Sequence, residues 1–90
     1  MNNTELFLKA ILRNGKASQV LVAVEEMQEL SKELLKNVNR NKENRTQIID
    51  ETADVQIMIE QLKVIYSITE TELQEATIIK LKRLKNGLRG

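Results

Sequence analysis

Apolar side chains recur along this chain at helical intervals, and the breaks between the runs divide it into four stretches. Leu6, Phe7, Ala10 and Ile11 make one face of a short first helix that Asn2 or Asn3 caps, with Glu5 placed for a capping box if Asn2 is the cap. It ends near Arg13, because Asn14-Gly15 supplies a residue that tolerates the left-handed backbone of a helix stop. A second helix is expected from Lys16–Ser18 to about Asn37, with Val20, Ala23, Val24, Met27, Leu30, Leu34 and Val38 as its buried stripe. Beside that stripe Gln19, Val22, Glu26, Glu29 and Glu33 form a mostly polar line. From Asn37 to Asn44 the periodicity lapses and asparagines gather, which reads as a loop. Arg40, Lys42 and Arg45, in or beside it, read as solvated, with a phosphate-facing role the alternative for one of them.

The third helix, about Arg45 to Ser67, carries Ile48, Glu51, Asp54, Val55, Met58, Leu62 and Ile65 on one side at about 100° per residue. Ile49, Ala53, Ile57, Val64 and Ile68 form a second ridge. A small bundle has little use for a helix that is apolar nearly all round, so the second ridge is expected to meet another subunit in a homo-dimer or tetramer. Thr69-Glu70-Thr71-Glu72 fits a capping box for a fourth helix running to about Asn86-Gly87. That helix starts acidic and ends basic, which complements its dipole. The expected fold is all-α: one domain over 1–90, an antiparallel bundle of a short N-terminal helix and three longer ones.

Composition agrees. The 90 residues include no proline and three glycines, and the net charge of +1 gives no general pull toward nucleic acid or membrane. The basic cluster from Lys80 to Arg89 is short and has no interleaved aromatic, so nucleic acid is not an expected partner. With neither cysteine nor histidine, thiol and imidazole chemistry are excluded, and with them most zinc sites and Cys-His or Ser-His nucleophiles. No signal pattern opens the chain, and no apolar run reaches the roughly 18 residues of a membrane span. A soluble cytoplasmic protein is the expectation.

The chemistry left open runs on carboxylates, amines, guanidiniums, water and metal. Glu26 and Glu29 stand three apart on the second helix, Glu51 and Asp54 three apart on the third, and residues so spaced share a helix face. Glu51 and Asp54 fall within an apolar stripe, where an unpartnered carboxylate is unfavourable. Lysine and arginine are scarce on those faces, so a metal ion is the natural compensating charge, and oxygen-only ligation suits Mg²⁺ or Mn²⁺. Spacing alone leaves this open against a solvated or ion-paired face. Gln19 either looks into the same cleft or is solvated.

Glu26-x-x-Glu29, twenty-one residues, then Glu51-x-x-Asp54 resembles the metal-binding signature of the MazG-like all-α nucleoside triphosphate pyrophosphohydrolases. Gly15 and Gln19 ahead of the first pair, the run from Val24 to Lys32 around it, Glu51-Thr52-Ala53-Asp54-Val55, and a late Lys80-x-x-Arg83 extend the likeness from about Gly15 to Leu88. The resemblance implies Mg²⁺-dependent hydrolysis of a nucleoside triphosphate between the α and β phosphates, giving monophosphate and pyrophosphate. It implies Glu26, Glu29, Glu51 and Asp54 as metal ligands, with Glu29 chosen as the base, and Gln19, Lys80 and Arg83 as substrate-binding residues. Phe7 and Tyr66 are the only aromatics, so no base-stacking platform sets a base preference. The competing expectation is a non-enzymatic helical interaction or regulatory protein whose acids face water or pair with lysines.

Overall fold

The computed structural model describes residues 1–89 and consists of four helices: α1 (Asn3–Asn14), α2 (Lys16–Arg40), α3 (Arg45–Ile65) and α4 (Glu70–Arg89). No strand occurs among the described residues, as the periodicity requires. Local signals set most boundaries. Asn2 Oδ1 accepts the Glu5 N–H at 2.8 Å, which settles the first cap in favour of Asn2. Gly15, at φ 89°, ends α1 with its N–H on the Ile11 carbonyl and lets α2 begin at the next residue. Thr69 and Glu72 exchange side-chain-to-backbone bonds at 3.1 and 2.9 Å, the reciprocal capping box at the start of α4.

Three boundaries differ from expectation; α3 stops at Ile65, two residues short of Ser67, which takes the left-handed conformation at φ 53°. α2 continues to Arg40, because the chain turns only where Asn41 takes the left-handed conformation at φ 51°, which asparagine tolerates better than most residues. Asn37 therefore lies inside the helix, and its Nδ2 reaches the Lys42 carbonyl and Asn44 Oδ1. α4 likewise passes through Gly87 to Arg89. One glycine in a helix adds only about 1 kcal/mol relative to alanine.

α2 and α3 form an antiparallel pair, and α1 lies against both. Gln19 meets Gln61, and one heptad further along α2 Glu26 meets Asp54, one heptad back along α3. That register places Glu29 opposite Glu51. The face that α2 turns to α3 is not the expected apolar stripe. Ala23 is 1% exposed and Leu30 half-buried on that face, but so are buried Gln19 and half-buried Glu26 and Glu33. Val24, Met27, Leu34 and Val38 are exposed. Small Ala23 lets the two backbones approach, and two members of the polar line find partners across the pair, Gln19 in Gln61 and Glu33 in Asn44.

The buried apolar core within one chain is correspondingly small, Ile11, Ala23 and Met58. Of the expected second ridge of α3, Ile49, Ala53 and Ile57 are exposed, Val64 is half-buried and Ile68 falls beyond the helix end; Ala53 and Ile57 border a groove shared with Phe7 of α1. Among the described residues α4 packs against none of the other helices; its link to α3, apart from the connecting turn, is the ion pair of Glu70 with Lys63. No helix of the described residues is long and apolar enough to cross a membrane.

Candidate metal centre

The antiparallel register carries carboxylates from two helices to one place. Glu26 on α2 and Glu51 and Asp54 on α3 each offer an oxygen, and these lie within 4.8 Å of one another. Glu26 and Glu51 are half-buried and Asp54 is exposed, so the cluster opens to solvent on one side. Ligands around a single Mg²⁺, about 2.1 Å from each oxygen, are at most about 4.2 Å apart. Small side-chain rotations would bring the three into that range.

The electrostatics are those of an acid cluster without a counter-charge. Burial first, then the charges of Asp54 and Glu51, hold the Glu26 carboxyl above its ordinary value of 4.5, and a hydrogen bond from protonated Glu26 to Asp54 adds to this. Burial and then Asp54 and Glu29 raise Glu51 in the same way. Glu51 Oε2 is buried and has no hydrogen-bond partner. Among the described residues no lysine or arginine pairs with Glu26, Glu29, Glu51 or Asp54; the ion pairs are Lys36–Glu33, Lys63–Glu60 and Lys63–Glu70. An orphaned carboxylate oxygen among further carboxylates fits a hard divalent cation, whose preferred ligands are oxygens.

The remaining expected residues are placed differently. Glu29 is exposed, near enough for its charge to act on both Glu26 and Glu51, but outside the convergent trio. Gln19 is neither solvated nor free: it is buried, its Nε2 donates to Gln61 Oε1 at 2.6 Å, and its Oε1 accepts from Asn14 Nδ2 at 3.0 Å. Lys80 and Arg83 are exposed on α4, away from the paired helices. Arg40, Lys42 and Arg45 are exposed around the 41–44 turn.

Two supports of the cluster escaped the sequence reading. Gln61 is one; its signal was its position, seven residues beyond Asp54, matching the step from Gln19 to Glu26 on α2. Asn44 is the other, 1% exposed, donating to the Glu33 carbonyl at 2.8 Å and to Glu33 Oε2 at 2.7 Å. In the sequence it read as a loop asparagine, yet its side chain, which does not cap α3, clasps α2. The two amide contacts bracket the carboxylates, one toward each end of the helix pair.

Comparison with protein-family models, curated proteins and solved structures finds no match to this chain.

Proposed function

We propose that this chain is a Mg²⁺-dependent nucleoside triphosphate pyrophosphohydrolase of the MazG-like kind, Mn²⁺ being an alternative ion, that acts as a homo-dimer or tetramer. The observation that carries the reading is the buried, unpartnered Glu51 Oε2 beside Glu26 and Asp54 with no basic side chain to neutralise them. It favours an ion over a solvated or lysine-paired face, because a carboxylate oxygen out of water is unfavourable unless something compensates it.

Glu26, Glu51 and Asp54 would hold the ion, with Glu29 completing the set or serving as base. When bound, the ion supplies charge neutralisation for the triphosphate and a lowered pKa for attacking water. Glu29, exposed and across from Glu51, would orient that water and accept its proton. The water oxygen forms its bond to phosphorus as the link between the α and β phosphates breaks, and pyrophosphate leaves. Lys80 and Arg83 would bind the leaving group, which requires α4 to be brought to a carboxylate cleft by assembly or movement. Gln19, already bonded to Asn14 and Gln61, reaches substrate only by giving up one of those bonds.

The test is pyrophosphate release from a panel of nucleoside triphosphates with Mg²⁺. Asp54→Asn is expected to abolish it and to weaken the rise in melting temperature that Mg²⁺ produces. Lys80→Ala and Arg83→Ala are expected to lower turnover while leaving that rise in place. The exposed apolar faces of α2 and α4 support the second reading, a helical interaction or regulatory protein. Absence of pyrophosphate release, together with identical melts of wild type and Asp54→Asn with and without millimolar Mg²⁺, would establish that reading over the enzyme.

A further inference from the structure

We propose that α4 is an association arm that pairs antiparallel with α4 of a second copy of this chain. This surface is separate from the α3 ridge, and the inference does not depend on the chemistry of the acid cluster.

α4 has 20 residues, about 30 Å of helix, and among the described residues no other helix packs on it. Most of a helix's stability in a protein comes from packing of its apolar face rather than from propensity, and Thr71, Thr77, Ile78 and Ile79 are β-branched. One face supplies what is needed for packing. Leu73, Thr77, Leu81, Leu84 and Leu88 fall within an arc of about 80°, and all are exposed.

The charges identify the occupant. Residues 70–79 contain Glu70, Glu72 and Glu75 and no base, whereas residues 80–89 contain Lys80, Lys82, Arg83, Lys85 and Arg89 and no acid. A parallel second copy would set bases against bases. An antiparallel copy sets each acidic half against a basic half and opposes the two helix dipoles. The sequence is thus complementary to itself under a twofold axis, the requirement of an isologous contact. With Leu81 near that axis, Leu73 lies opposite the partner's Leu88 and Thr77 opposite the partner's Leu84. The axis then falls between Lys80 and Leu81, so Lys80 borders the seam about 40° from Leu84, while Arg83 lies about 100° round the helix from Leu84, outside it.

The surface area agrees. The chain exposes 7282 Å², against about 5400 Å² for a folded monomer of its 10.4 kDa. A standard interface covers about 800 Å² on each partner, so the surplus of about 1900 Å² is more than one such contact requires. The radius of gyration points the same way, 16.2 Å where a compact domain of this length has about 12 Å.

The chain contains no cysteine, so single cysteines report on the pairing directly. Under mild oxidation Leu81→Cys is expected to cross-link to itself at twice the chain mass. Leu73→Cys and Leu88→Cys should each stay at single mass alone and cross-link to one another when mixed. Circular dichroism checks that each variant keeps its helix content, and light scattering on Leu81→Glu/Leu84→Glu, expected to halve the molar mass, tests the same contact without oxidation. Self-cross-linking of the end variants would establish a parallel pair and overturn the proposal. No cross-link from Leu81→Cys or from the mixture, or an unchanged mass for the glutamate variant, would mean that something other than α4 covers this face, and would overturn it as well.

Discussion

α2 and α4 are both long amphipathic helices with acids and leucines, yet one is held at its partner by buried contacts and the other stands away from its own chain. The difference does not follow hydrophobicity. α4 exposes Leu73, Leu81, Leu84 and Leu88, whereas α2 turns a face to α3 that includes Gln19, Glu26 and Glu33. What distinguishes α2 is a small residue where the backbones approach, Ala23, and side-chain amides that find mates across the pair, Gln19 with Gln61 and Asn44 with Glu33. Apolar surface creates a demand for cover; specific pairing decides which surface meets it. Among the described residues α4 has no such pairing, whereas α2 and α3 have it, and their meeting concentrates the carboxylates.

The largest effect should come from placing the same charge on the two helices. Ala23→Glu buries an unpaired carboxylate at a site 1% exposed, a loss on the order of 4 kcal/mol or more. At about 0.05–0.15 kcal/mol per residue a domain of this size has roughly 5–13 kcal/mol in total, so the variant should lose about a third or more of its stability. Leu84→Glu on α4 changes a residue already 61% exposed. In dilute protein its melting should shift by no more than about 0.5 kcal/mol, although it disturbs the self-association proposed for α4. Circular dichroism melts of both variants at one low concentration check the contrast; equal losses would show that α4 belongs to the same cooperative unit.

A smaller loss is expected at the ends of the α2–α3 pair. Asn44→Ala removes the donor to both the Glu33 carbonyl and its carboxylate, at about 1–3 kcal/mol for buried polar groups left without a partner. Gln19→Leu should cost a similar amount, about 1–3 kcal/mol, by stranding Gln61. Restoring an apolar match with Gln61→Leu in the same chain should recover most of that loss. A double variant no more stable than the single would show that the amide pair is not the source of the stability.

The positions that sequence made legible are those governed by local chemistry. Asn2, Gly15 and the Thr69–Glu72 box act within four residues of themselves, and the helices start and stop there. The two carboxylate pairs were legible as helix neighbours for the same reason. The face of α2 was not, because an apolar stripe states that cover is needed without stating from where; Val24, Leu34 and Val38 proved to be exposed. Nor was the isolation of α4, whose periodicity defines a face and leaves its occupant open. Asn44 escaped notice since its role spans eleven residues to Glu33 and depends on the turn at Asn41 that brings them together.

The finest test separates the acid cluster from the Glu33 clasp by pH. Glu26 and Glu51 have native values raised above 4.5, so the stability gained by protonating them is fully present below 4.5 and is lost as pH rises through their raised values. Glu33 is shifted the other way, chiefly by the hydrogen bond from Asn44, so its contribution is present above 4.5 and is lost as pH falls through its lowered value. The two windows lie on opposite sides of 4.5. Metal-free protein should therefore gain melting temperature as pH is lowered from neutral and turn downward only once below the ordinary glutamate value. Asp54→Asn removes a charge that raises both Glu26 and Glu51, so it should flatten the gain above 4.5 and leave the acid-side fall in place; Glu33→Gln should do the reverse. Millimolar Mg²⁺, competing with protons for the same oxygens, should invert the slope above 4.5 for wild type and not for Asp54→Asn. A wild-type melting temperature that falls steadily from neutral pH downward without metal would show that repulsion within the cluster is too weak to matter, and would remove the electrostatic case for an ion there.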